Sequence, residues 1–187
     1  MTVGRPQIEQ NGQAGRALFV GVRLFLAADA FLFLAFLFAY LYLRALDSNG
    51  MWHPPGIDPS LGLGLATTVV VVVTAVAAYL APRRPGTQLG WVVVGGLTVA
   101  AVLAAVQLFD PGFSPSVSGG YGSVFIGFTA VYLVHLLGGL YWAETTVAAA
   151  SRSPDAELGP VEAESVSAFV VFLAGVMVIA FILLYIV

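Results

Sequence analysis

The sequence predicts an all-α fold, a polytopic membrane helical bundle with five transmembrane helices. Three observations carry that expectation. The chain of 187 residues is 59% hydrophobic and only 9% charged, whereas an ordinary soluble domain carries about 25% charged residues. A water-facing surface cannot be assembled from so few charges. Five apolar runs each reach the roughly 20 residues that one crossing requires. Pro and Gly punctuate every connection between them, as chain breakers should.

Residues 1–15 read as a polar amino-terminal tail, and 16–187 as a single five-helix domain. The first apolar run, 18–44, is longer than the roughly 7–15-residue core of a signal peptide, so a retained membrane helix is expected. The second run, 61–81, contains VVVVV at 69–73, a β-branched stretch. Helix is expected there too, because a lone strand in lipid leaves its backbone polar groups unsatisfied. The remaining runs are 89–109, 122–147 and 164–187. The fourth holds Gly122, Gly127, Gly138 and Gly139, small residues that let helix backbones approach closely in lipid. No connection has room for a soluble domain, and no internal repeat is visible.

Arginine placement orients the bundle. Six of the seven basic residues fall on one side: Arg5, Arg16, Arg23, Arg83, Arg84 and Arg152. Only Arg44 falls at the other. The positive-inside rule then puts the amino terminus in the cytoplasm and the carboxyl terminus outside. On this orientation, cysteines introduced at Ser48 and Ser153 label from opposite faces. Arg23 is expected to snorkel to the inner interface. Trp52, Trp91 and Trp142 sit near span ends, as an aromatic belt does. The expected location is the bacterial plasma membrane.

Composition also excludes functions. A net charge of −3 with no lysine offers no basic field for nucleic acid. The absence of cysteine removes disulfides, thiolate nucleophiles, iron–sulfur ligation and covalent haem attachment. Two histidines, His53 in a connection and His135 in a span, are too few for a self-contained haem or copper centre. No catalytic, cofactor-binding or metal-ligating residue is therefore assigned.

Ionisable groups at membrane depth are costly and mark functional sites by default. His135 lies in YGSVFIGFTAVYLVHLLGG with Tyr132 one turn before it. It is either a hydrogen-bonded structural histidine or a contact for lipid, protons or another subunit. Asp29 has Phe25, Leu26, Leu32 and Phe33 as helical neighbours, so nothing on its own helix neutralises it. It too is either a structural carboxyl group or a lipid- or proton-interacting one. Gln107 and Asp110, in QLFD, lie three apart on one helical face and can meet the same partner, or simply form a polar helix end before Pro111. The last connection, SRSPDAELGPVEAE, is acidic and reads as a solvated loop.

In order along the chain, these pieces resemble subunit III of the haem–copper oxidases, in the five-helix form that lacks the first two helices of longer members. The family's first retained helix carries F-hydrophobic-x-[SA]-E; here FLAADAFLF places Asp29 there. The family's W-x-P-P-G loop is WHPPG at 52–56. Its Q-x-x-E-aromatic motif is matched by Gln107 and Asp110. Its fourth-helix pattern, G-S-x-F followed by T-G-x-H-G-x-H and a glycine, retains Gly122, Ser123, Phe125, Thr129, His135 and Gly139. Tyr132 replaces the first paired histidine. The last helix departs: the family's Y-W-H-F-V-D is SAFVVFLAG here, keeping Phe172, while Tyr185 matches a terminal tyrosine.

The resemblance implies a non-catalytic accessory subunit of a respiratory terminal oxidase. Such a subunit holds no cofactor, packs beside the catalytic subunit I that carries haem and copper, binds phospholipids, and supports proton uptake. Asp29, His135, Tyr132, Gln107 and Asp110 then become lipid, proton or subunit contacts. The diverged last helix leaves room for a nitric-oxide-reductase-associated relative. A small transporter or proton channel is the competing class; it favours a broken mid-membrane span and inverted repeats, neither of which the sequence carries.

Overall fold

The computed structural model describes residues 5–47, 50, 52–110, 113, 115–152 and 159–186, without the side chains of 5–14 and 115–117. Ser48, Ser153, Asp155 and Glu157 lie outside the described residues. Five helices follow one another: α1 Arg5–Ala45, α2 Leu61–Leu80, α3 Gln88–Leu108, α4 Pro115–Ser151 and α5 Pro160–Phe181. A 3₁₀ turn, Ala81–Arg83, extends α2, and a π-helical turn, Ile182–Ile186, extends α5. Each helix is long and apolar enough to cross a membrane. The chain is an integral membrane protein. α1 begins at Arg5, well before its apolar span opens at Gly15, so the segment expected as a polar tail is largely helical.

Local chemistry sets the ends. Ser60 caps α2, its Oγ accepting from Leu63 N–H at 3.3 Å. Pro160 opens α5, where a missing N–H costs nothing. Gly119 interrupts α4 with φ of 65°, a left-handed turn that only glycine adopts freely. The break lies near the end of the helix rather than at its middle.

α2, α3, α4 and α5 form the core, centred on fully buried Val71, Leu97, Phe125, Tyr132, Leu136, Val170 and Leu173. Small residues bring these helices together. A Cβ at Gly96 would strike Thr74 of α2, and one at Gly139 would strike the Phe169 ring of α5. Dispersion across such close contacts drives association in lipid, where burial of apolar surface gains nothing. Thr67, Thr68 and Thr74 lie buried on α2 with their hydroxyls returned to carbonyls one turn back, so no polar group is orphaned at these contacts.

α1 stands apart. Only 17% of its most apolar window is buried, against 33–44% for the other four. It meets α4 and α5 along one narrow seam: Val22, Leu26, Asp29, Phe33, Phe36 and Tyr40. The alternating spacing of four and three is that of a coiled-coil seam. The rest of its surface, including Phe31, Leu34 and Phe38, is exposed.

Candidate functional site

Asp29 is the one carboxylate in the α1 seam, and the seam aims it at α4. His135 projects from α4 at the same level, its Nε2 3.4 Å from Asp29 Oδ2. Both side chains are nearly buried, at 10% and 13% exposure. The other ring nitrogen, Nδ1, is 2.8 Å from the Val131 carbonyl one turn back on α4. A carbonyl only accepts, so Nδ1 carries a hydrogen and Nε2 is the nitrogen left for Asp29. The carboxyl group of α1 and the imidazole of α4 thus face each other through Oδ2 and Nε2. At 3.4 Å the approach is longer than the 2.7–3.2 Å of a hydrogen bond, and Oδ2 is buried without a hydrogen-bond partner.

Phe33, one turn along α1, closes the site. Its ring centroid is 5.0 Å from His135, 5.8 Å from Phe128 and 6.0 Å from Phe172. Two apolar cavities flank it where α1 leans on its neighbours. One, of about 270 Å³, is lined by Phe25, Val134, His135, Gly138, Trp142 and Phe169. A Cβ at Gly138 would meet only open space, so glycine there widens this groove. The other, of about 200 Å³, runs between Leu34 and Leu37 of α1 and Phe172 and Val176 of α5. Both grooves are almost wholly apolar, His135 being the one polar side chain in their linings.

The remaining sequence-selected residues divide. Tyr132 is buried beside Phe33, but its hydroxyl donates to the Leu173 carbonyl of α5 at 3.0 Å, which fastens α4 to α5. Gln107 is buried at the end of α3, where its amide donates to the Tyr185 hydroxyl. Asp110 lies just past that helix, half-buried, its carbonyl accepting from Phe113 N–H at 3.1 Å. Gln107 shares a small cavity with Thr129 and Tyr132 of α4, but the contact with Asp29 is made by His135. Among the described residues, no three His, Cys, Asp or Glu side chains converge in a way that could hold a metal.

One group was not anticipated from sequence. Residues 52–60 of the connection after α1 pack on the start of α4, where Tyr121 N–H donates to the Trp52 carbonyl at 2.9 Å. His53 stacks on Tyr121 with centroids 4.2 Å apart and reaches Asp58 at 3.1 Å. The only sequence signal was the WHPPG turn itself, which says that the chain reverses and not what it lands on. Compared with known proteins, the chain matches no family model, and no curated protein is significantly similar to it.

Proposed function

We propose that this protein is a non-catalytic subunit III of a respiratory haem–copper oxidase, packed beside the catalytic subunit, holding phospholipid and supporting proton uptake and complex stability. The observation that carries this reading is the meeting of Asp29 with His135. The motif resemblance selects these residues separately, on the first and fourth helices, and they share one buried contact. Gln107 and Tyr185, also selected separately, form a second such pair. Apolar grooves beside α1 give acyl chains a place next to the Asp29–His135 contact. Oxygen chemistry, haem and copper belong on this reading to the partner chain, and the location is a bacterial plasma membrane with the amino terminus inside.

Affinity purification of the tagged chain from its native membrane tests the proposal. A haem–copper catalytic subunit in stoichiometric amount, identified by mass spectrometry and by its absorption spectrum, is the expected companion. Recovery with a soluble dehydrogenase instead, or a stoichiometric haem spectrum from the isolated chain, would remove the accessory-subunit reading.

A further inference from the structure

A cavity of about 540 Å³ opens at the end of the bundle where α1 stops. That volume is within the roughly 300–1,000 Å³ of small-ligand clefts. Its walls combine the last turns of α1 (Tyr40, Arg44), the folded-back connection (Trp52, His53, Asp58) and the first turns of α4 (Tyr121). Unlike the grooves beside α1, it is lined by charge of both signs.

Each charge has a neighbour in the cavity wall. Arg44 folds back along its own helix, with Nη1 3.3 Å from the Tyr40 hydroxyl and the guanidinium 5.9 Å from that ring's centroid. Asp58 is held by His53, whose Nε2 lies 3.1 Å from both the carboxylate and the Ile57 carbonyl. His53 is in turn stacked on Tyr121. Among the described residues, no ion pair joins Arg44 to Asp58. Among the described residues, one arginine and one carboxylate therefore line a common space together with Tyr40, Trp52 and Tyr121. The 20-residue α2 begins just beyond Asp58, so the cavity lies at the depth of lipid headgroups, at one end of a crossing of about 30 Å.

We propose that this cavity holds the zwitterionic headgroup of a glycerophospholipid, with its phosphate on Arg44 and its ammonium on Asp58 and the aromatic faces. Guanidinium pairs with phosphate through charge-assisted hydrogen bonds, and ring faces attract ammonium. A headgroup with phosphate but no ammonium leaves Asp58 facing a like charge, and a free cation leaves Arg44 doing the same. The proposal rests on the five-helix membrane fold and is independent of the oxidase reading.

The test is native mass spectrometry of the purified, delipidated full chain. The chain is titrated with phosphatidylethanolamine, phosphatidylcholine and phosphatidylglycerol of identical acyl chains. One zwitterionic lipid should bind at least about threefold tighter than the glycerol lipid, as expected for a partly exposed charge contact. Asp58→Asn should erase that preference, and Arg44→Gln should weaken all three lipids together. Asp58 is largely exposed, so its variant keeps the fold, which circular dichroism checks. Equal binding of phosphatidylglycerol by the unaltered chain overturns the assignment, as does a preference that survives Asp58→Asn. Displacement of the lipid by an equal concentration of soluble glycerophosphoethanolamine overturns the membrane source.

Discussion

Asp29→Asn and Asp29→Leu separate the roles open to the buried pair. With Nδ1 of His135 committed to the Val131 carbonyl, a neutral ring presents a lone pair at Nε2. An asparagine amide donates to that lone pair in the space of the carboxyl group. Leucine cannot, and the unpaired imidazole nitrogen then destabilises the α1–α4 contact by about 1–3 kcal/mol. In the oxidase complex proposed for this chain, the Asn variant is expected to keep near-normal initial oxygen consumption and subunit content, whereas the Leu variant loses lipid or subunits over time. Immediate loss of turnover in the Asn variant, with composition intact, would mean that Asp29 passes obligatory protons. Sequence alone selected both residues, because an ionisable group inside an apolar run stands out locally. Their pairing was not legible, since each is fixed by the rotation of its own helix.

At the scale of elements, α1 is the part most easily detached. The four-helix core is closed by interlocking small residues, whereas α1 is held by a single seam in which Phe33 and Tyr40 contribute the buried rings. Phe33→Ala opens a cavity between His135, Phe128 and Phe172, and such truncations cost about 3–5 kcal/mol. The expected result is local: hydrogen exchange rises along α1 around Asp29 while amides of α2 and α3 keep their protection. A uniform loss of protection across all helices would show that α1 is integral to the core rather than leaned against it. The apolar runs of α1 and of the core helices look alike in hydropathy. The compositions differ in part: α1 interleaves its alanines with six Phe and eight Leu, whereas α2 and α3 carry no Phe and set Gly, Ala and Thr on the faces that meet.

For the whole molecule, the bundle has two unlike ends. One carries Arg23, Arg83, Arg84 and Arg152, with Arg23 turned back over Phe19 toward the helix start, as a snorkelling side chain does. The other carries the folded-back connection and Arg44. The chain has no cysteine, so single cysteines at Pro55 and Pro85, both exposed, report on one end each. On the positive-inside orientation, Pro55→Cys reacts with an impermeant maleimide in intact cells and Pro85→Cys only after lysis. The reverse pattern would invert the orientation, and reaction of both in intact cells would refute the span count.

The sequence by itself determined that this chain is a five-helix membrane protein, and it located the helix ends to within one residue except at the start of α1 and at the ends of α4 and α5. Hydropathy, chain breakers and backbone satisfaction in lipid are properties of contiguous residues, so they need no knowledge of neighbours. The sequence also picked out Asp29, His135, Gln107 and Tyr132. Only the tertiary structure decided who meets whom: Asp29 with His135, Gln107 with Tyr185, Tyr132 with the α5 backbone, and His53 with Tyr121 over a charged cavity. The reason is that membrane helices are apolar on nearly every side, so periodicity carries little information about which face turns inward. That choice falls to the fit of small residues against large ones across helices distant in sequence, and the polar contacts follow from it.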